Sequence, residues 1–111
     1  MDKKTINEII ISLLADIAPV SYGWFTGSKE NHITFFEYNM LGNNYMDDKL
    51  YSMKHSIQVD LWGYSNLEDI KNKIIKILIA NDFIFINCKD LFESEKNLYH
   101  KVIRVRITKE F

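Results

Sequence analysis

Tyr51-Ser52-Met53-Lys54-His55-Ser56-Ile57-Gln58-Val59-Asp60-Leu61 is the stretch that decides the fold. Tyr51, Met53, His55, Ile57, Val59 and Leu61 alternate with Ser52, Lys54, Ser56, Gln58 and Asp60, a period of two held over eleven residues. Only an extended strand sorts such a pattern onto two faces, one of them core and the other wet or at an interface. At about 3.3 Å per residue the stretch is ~35 Å long, against ~26 Å for twice the gyration radius expected of a chain this size. Part of it is therefore expected to project as a hairpin arm.

Upstream, Ile33-Thr34-Phe35-Phe36-Glu37-Tyr38-Asn39 reads as a strand with apolar side chains on both faces. Such a strand is covered on both sides, by helices on one face and by another subunit or a loop on the other. Leu41 to Asp48 is polar and turn-rich and reads as a mobile loop. Val20 to Phe25 is aromatic and β-prone, followed by a turn at 26–31. Thr5-Ile6-Asn7-Glu8 fits a capping box. Ile6, Ile9, Ile10, Leu13, Leu14 and Ile17 make one helical stripe, and Pro19 stops a helix expected over 6–17.

Downstream, Gly63-Tyr64 turns the chain, and Ser65-Asn66-Leu67-Glu68 offers a second capping box. Leu67, Ile70, Ile74, Ile77 and Leu78 form the next helical stripe. Glu68 and Asp69 in its first turn and Lys76 near its end complement the helix dipole. Asn81-Asp82 breaks the helix. A strand follows at 83–87, extended or bulged through Asp90 to Glu93, then a polar hairpin loop at 93–97. Tyr99 to Ile107 is the last strand. The order α-β-β-β-α-β-β predicts an α+β domain over 1–111, a mostly antiparallel sheet of four to five strands with two helices on one face.

Composition narrows the function classes. At 111 residues and 47% hydrophobic the chain suits one core, and disorder is excluded. Lys plus Arg total 14 against 15 for Asp plus Glu, a net charge of -1. That balance argues against a dedicated nucleic-acid binder and gives no polybasic membrane signal. Only two of the 14 basic residues are arginines, Arg104 and Arg106. Cys88 is the sole cysteine, so neither an intrachain disulfide nor a multi-cysteine zinc site can form. No apolar run reaches the roughly 18–20 residues of a membrane span. The apolar stretch at 9–15 is broken by Asn7, Glu8 and Asp16, and reads as a folded helix in a cytoplasmic protein rather than a signal peptide.

Candidate chemistry is sparse. His32, His55 and His100 lack the spacing of a metal motif, and a site shared by His55 and His100 requires adjacent strands. Asp47-Asp48 invites a divalent ion, but a solvated loop is the plainer account. No nucleophile elbow or phosphate loop is present. No catalytic residue, cofactor site or metal site is assigned. The aromatics Tyr22, Trp24, Phe25, Phe35, Phe36, Tyr38, Tyr51, Trp62 and Tyr64 suit a core plus an oligomer interface better than a base-stacking surface.

Four segments resemble a known family: Pro19-Val20-Ser21-Tyr22-Gly23, Ile33 to Asn39, His55 to Trp62 with the capped helix after it, and Asp90-Leu91-Phe92-Glu93 leading to Leu98 through Arg104. They span about residues 19–106 and resemble the tail-completion or tail-terminator (head-to-tail joining) proteins of siphophages and of prophages in low-GC Gram-positive bacteria. The 41–49 loop has no clear counterpart in that pattern. The resemblance implies a non-enzymatic virion protein. It would form a homo-oligomeric ring, usually a hexamer, at the tail or neck of the virion, after assembly in the host cytoplasm. The implied partners are copies of itself, the major tail tube protein and the head–tail connector proteins. Genomic DNA would pass through the lumen without specific binding, and no membrane or cofactor is involved. The alternatives are a head-completion or neck protein, a single-strand nucleic-acid-binding module stacking bases on Trp24, Phe35 and Tyr38, and a small hydrolase or transferase using His55 and His100.

Overall fold

Alternation along β3 (Lys49–Gly63) is realised as a central strand paired on both sides. The computed structural model describes residues 5–23, 31–46, 49–94 and 97–110. Within them five strands form one sheet in the order β1-β2-β3-β5-β4. These are β1 (Val20–Tyr22), β2 (His32–Met46), β3, β4 (Ile84–Glu93) and β5 (Leu98–Glu110). Only the β1–β2 pairing is parallel; β2–β3, β3–β5 and β4–β5 are antiparallel. Helices α1 (Ile6–Leu14) and α2 (Glu68–Ala80) pack on one face. The architecture is the α+β arrangement expected from the pattern of elements.

The core lies between those helices and the odd-numbered side of β3. Ile57, Val59 and Leu61 stand opposite Val105, Ile103 and Lys101 on β5, and opposite Glu37, Phe35 and Ile33 on β2. Ile10 and Leu14 of α1 and Ile74 and Leu78 of α2 close over this surface, all fully buried. Burying a side chain of that size is worth about 1.5–3 kcal/mol, so this one face carries most of the fold's apolar stabilisation.

Several boundaries differ from the sequence reading. The capping box at Thr5 forms, with Thr5 Oγ1 accepting from the Glu8 amide and Glu8 reaching back to the Thr5 amide. Yet α1 ends at Leu14 instead of Ile17, because the Ile17 and Ala18 amides both turn back to the Leu14 carbonyl and tighten the chain ahead of Pro19. At α2 the cap is not Ser65. The Asn66 side-chain oxygen accepts from the Glu68 amide, which frees the Glu68 carboxylate for lysines. Continuation of α2 to Ala80 leaves no basic residue in its last turn, so Lys76 does not cap the dipole.

The largest difference concerns 41–48. Leu41 through Met46 is not a loop but the distal part of β2, paired with β3 as far as Met46↔Lys49. Its turn-forming residues are absorbed as irregularities, with register shifts between Gly42 and Asn44 and between Asn44 and Tyr45. Asp47 and Asp48 lie outside the described residues, as do Trp24, Phe25 and most of the turn at 26–31. The hairpin does project. β2 and β3 have 15 residues each, or ~50 Å at about 3.3 Å per residue. The molecule measures 54 × 28 × 24 Å with a gyration radius of 15.3 Å, above the ~13 Å of a compact chain of this length.

Gly63 ends β3 with no room for a side chain. A Cβ there would press on the Asn31 amide and on the Leu67 methyl, itself locked in the core. Gly63→Ala should therefore lower stability by about 1–3 kcal/mol, the usual cost of overpacking, read from the urea unfolding midpoint. An unchanged midpoint would show that this corner yields freely.

Candidate functional site

The side chains of the other sheet face have no helix above them. Directly opposite residues share a face, so the register lays out rows across this surface. One row runs His32, Trp62, His100, Leu91; the next Thr34, Asp60, Val102, Lys89; the next Phe36, Gln58, Arg104, Asn87. Beyond them come Asn39, Ser56, Arg106 and Ile84, then Leu41, Lys54 and Thr108. Of the surface expected to be wet or at an interface, much is shielded by its own side chains.

A polar and aromatic network accounts for that shielding. The Trp62 indole lies between two imidazoles, 3.6 Å from the His100 ring centroid and 6.2 Å from that of His32, nearly parallel to both. Its Nε1 donates to Thr34 Oγ1 at 3.1 Å. Asp60 is buried, and a buried carboxylate needs donors. His100 Nε2 meets its Oδ1 at 2.7 Å and Gln58 Nε2 donates to it at 3.0 Å. Gln58 in turn accepts from Arg104 Nε at 3.2 Å, and the Arg104 guanidinium lies 5.3 Å over the Tyr38 ring. The chain of contacts therefore runs unbroken from Tyr38 to Thr34.

This geometry answers the sequence-level candidates individually. His55 and His100 do sit on adjacent strands, but they share no site. His55 stands opposite Ile107 on the helix-bearing face, joined to Glu37 at 2.5 Å, while His100 stands opposite Trp62 on the bare face. No hydrogen bond links His100 to a hydroxyl or thiol among the described residues. Phe35, a proposed base-stacking residue, is fully buried in the core. Tyr38 does reach the bare face and stays 41% exposed, with the Arg104 guanidinium over one face of its ring. Trp62 has both of its faces occupied. Among the described residues no group of three or more His, Cys, Asp or Glu could hold a metal ion. Among the described residues no helix is long and apolar enough to cross a membrane.

No family model and no curated protein matches the sequence.

Sequence reasoning did not single out the residues of the network as a set. Gln58, Asp60 and Trp62 follow one another at alternate positions on β3, but Thr34, His100 and Arg104 join them only through register. A second polar cluster, also invisible in the sequence, clips α2 to the sheet. Lys101 Nζ reaches Asp90 at 2.9 Å and Glu68 at 3.1 Å, and Lys71 also pairs with Glu68. Burial pulls the Lys101 ammonium down, but its bonds to Asp90 and Glu68 outweigh that and hold it above its ordinary value. The hydrogen bond from Lys71, then that from Lys101, holds the Glu68 carboxyl below its own. Burial pushes the Cys88 thiol up, as for an unreactive cysteine.

Two outcomes follow. Removing the imidazole in His100→Ala strips Asp60 of a donor and Trp62 of a stacking partner, and should cost about 1–3 kcal/mol. His100→Gln, which restores a donor, should recover part of that in the same urea titration. The depressed Glu68 carboxyl stabilises the fold above its unfolded value of 4.5 and loses that contribution as pH falls through the lower folded value. The fall in unfolding midpoint between pH 6 and 3 should accordingly be smaller in Glu68→Gln than in the parent chain.

Proposed function

We propose that this chain is a non-enzymatic structural subunit, a tail-terminator protein that assembles as a ring, closes the tail tube and joins it to the head connector. The observation that carries the assembly part is the state of the sheet's two outer edges. β4 is exposed along almost its whole length, with Ile84 62% and Phe92 51% accessible. On the opposite side, β1 pairs with β2 only at Ile33, Thr34 and Phe35. The remainder of the outer β2 edge, out to Met46, is unpaired among the described residues. Open edges of this length template pairing with another chain, and the irregularities at Phe85/Asn87 in β4 and at Gly42/Asn44 in β2 interrupt them only locally.

Two different free edges on one sheet suit head-to-tail contact between copies, which closes into a ring when the rotation permits. The apolar arm adds a third contact surface, with Tyr45 63% and Met46 57% exposed at its end. Exposed apolar strand surface beyond what one subunit needs supports an assembly role, and the resemblance over residues 19–106 narrows that role to the tail terminator. A head-completion or neck protein would use the same surfaces; immunolabelling that marks the portal side of the neck instead of the tail end would favour it.

Light scattering on the full chain should find a ring-sized species that grows with concentration, and the chain should co-sediment with purified tail tubes. The pair Ile84→Lys and Leu91→Lys places charge on already exposed positions of β4, so the fold should survive by circular dichroism while association is lost. A parent chain that stays monomeric at every concentration and fails to sediment with tails overturns the reading.

A further inference from the structure

The near-neutral net charge conceals a line of cations on the bare sheet face. Lys54 on β3, Arg106 and Arg104 on β5, and Lys89 on β4 all share the side that carries Trp62 and Asp60. They occupy four successive rows, those of Lys54↔Thr108, Ser56↔Arg106, Gln58↔Arg104 and Lys89↔Val102. Successive members are thus alternate residues on one strand, ~6.8 Å apart, or diagonal neighbours, about 7–8 Å apart. The result is a diagonal ridge ~20 Å long. Both arginines of the chain lie in it.

None of the four makes an ion pair among the described residues. The helix-bearing face differs, because there Lys71 and Lys101 are neutralised by Glu68 and Asp90. The single acid within these rows, Asp60, is already engaged by His100 and Gln58. Other carboxylates on this face stand at its margins, Glu110 one row beyond Lys54 and Glu93 two rows beyond Lys89. Arg106 Nε is buried without any hydrogen-bond acceptor, an arrangement that costs free energy until an acceptor arrives. Arginine's planar fork suits phosphate in particular.

We infer that this ridge binds the phosphodiester backbone of double-stranded DNA, independently of base sequence. An evenly spaced line of unpaired cations is complementary to a linear polyanion, whereas a folded acidic protein presents a compact cluster of carboxylates. Duplex is favoured over single strand because single strands bind by stacking bases on free rings. Here the Trp62 ring is stacked between His32 and His100, and Arg104 occupies one face of the exposed Tyr38 ring. The inference concerns this face alone and stands whether or not copies of the chain form a ring.

The test is fluorescence anisotropy of the full chain with a labelled mixed-sequence duplex of about 25 base pairs, titrated from about 50 to 200 mM NaCl. Four phosphate contacts give a slope of log K against log salt of about −3.6, and the pair Arg104→Gln with Arg106→Gln should reduce it to about −1.8. That pair should also weaken binding at least tenfold at the low-salt end. A control pair with the same charge loss on the exposed side of α2, Lys73→Gln with Lys76→Gln, should bind like the parent. Absence of parent binding at about 50 mM NaCl overturns the inference. So does equal weakening by the α2 pair. A tighter single strand of equal length overturns the duplex assignment, and displacement of the duplex by poly-glutamate at equal charge concentration reassigns the face to an acidic protein.

Discussion

The antiparallel pairing of β2 with β3 is the constraint on which the rest of the structure depends. Each strand has 15 residues, while α1 and α2 have 9 and 13. A strand rises more than twice as far per residue as a helix, so the helices cannot cover the hairpin's full length. The core therefore forms over the half carrying Ile33, Phe35, Ile57, Val59 and Leu61. The other half emerges as an arm with apolar side chains in solvent. Elongation is a direct consequence of that length mismatch.

Pairing also explains how a sheet face survives without a second layer. Thr34, Ser56 and Asp60 are nearly inaccessible although no helix lies above them. Longer neighbours shield them: the Trp62–His100 stack, the Gln58 amide and the Arg104 guanidinium over Tyr38. Each such hydrogen bond is worth only about 0.5–1.5 kcal/mol. Their joint effect is to satisfy the one buried carboxylate on this face, whose exposure to an apolar environment without donors would be costly. The same face presents ring edges and guanidinium groups over its centre, while the aliphatic side chains of Leu41, Ile84 and Leu91 stand exposed toward its margins.

Much of the fold was legible in the residues, and the failures have identifiable causes. The period of two from Tyr51 to Leu61, the stripes of both helices and the Thr5 capping box are local patterns, and the structure contains them. Leu41 to Met46 was misleading because Gly and Asn favour turns locally, while pairing with Lys49 to Lys54 absorbs them as irregularities inside a strand. The second capping box does not form: Leu67 is the N-cap with no side-chain bond, Asn66 accepts from the Glu68 amide, and the Glu68 carboxylate goes to lysines, one of them 33 residues away. Phe35, read as a possible stacking residue, points to the helices, since Ile33, Phe35 and Glu37 share the face of Ile57, Val59 and Leu61.

Side-chain alternation is a property of neighbours in the chain, and so the central strand, its two faces and the surplus of apolar strand surface could be read without coordinates. Register is a property of residues far apart. Only tertiary pairing put His55 and His100 on opposite faces, and only it aligned Lys54, Lys89, Arg104 and Arg106. A net charge of -1 is a sum, blind to where its members stand. Shifting β5 by one residue against β3 would have turned both arginines toward the core, so the cationic ridge exists because hydrophobic burial of Ile103, Val105 and Ile107 on one side leaves the alternate residues no other direction.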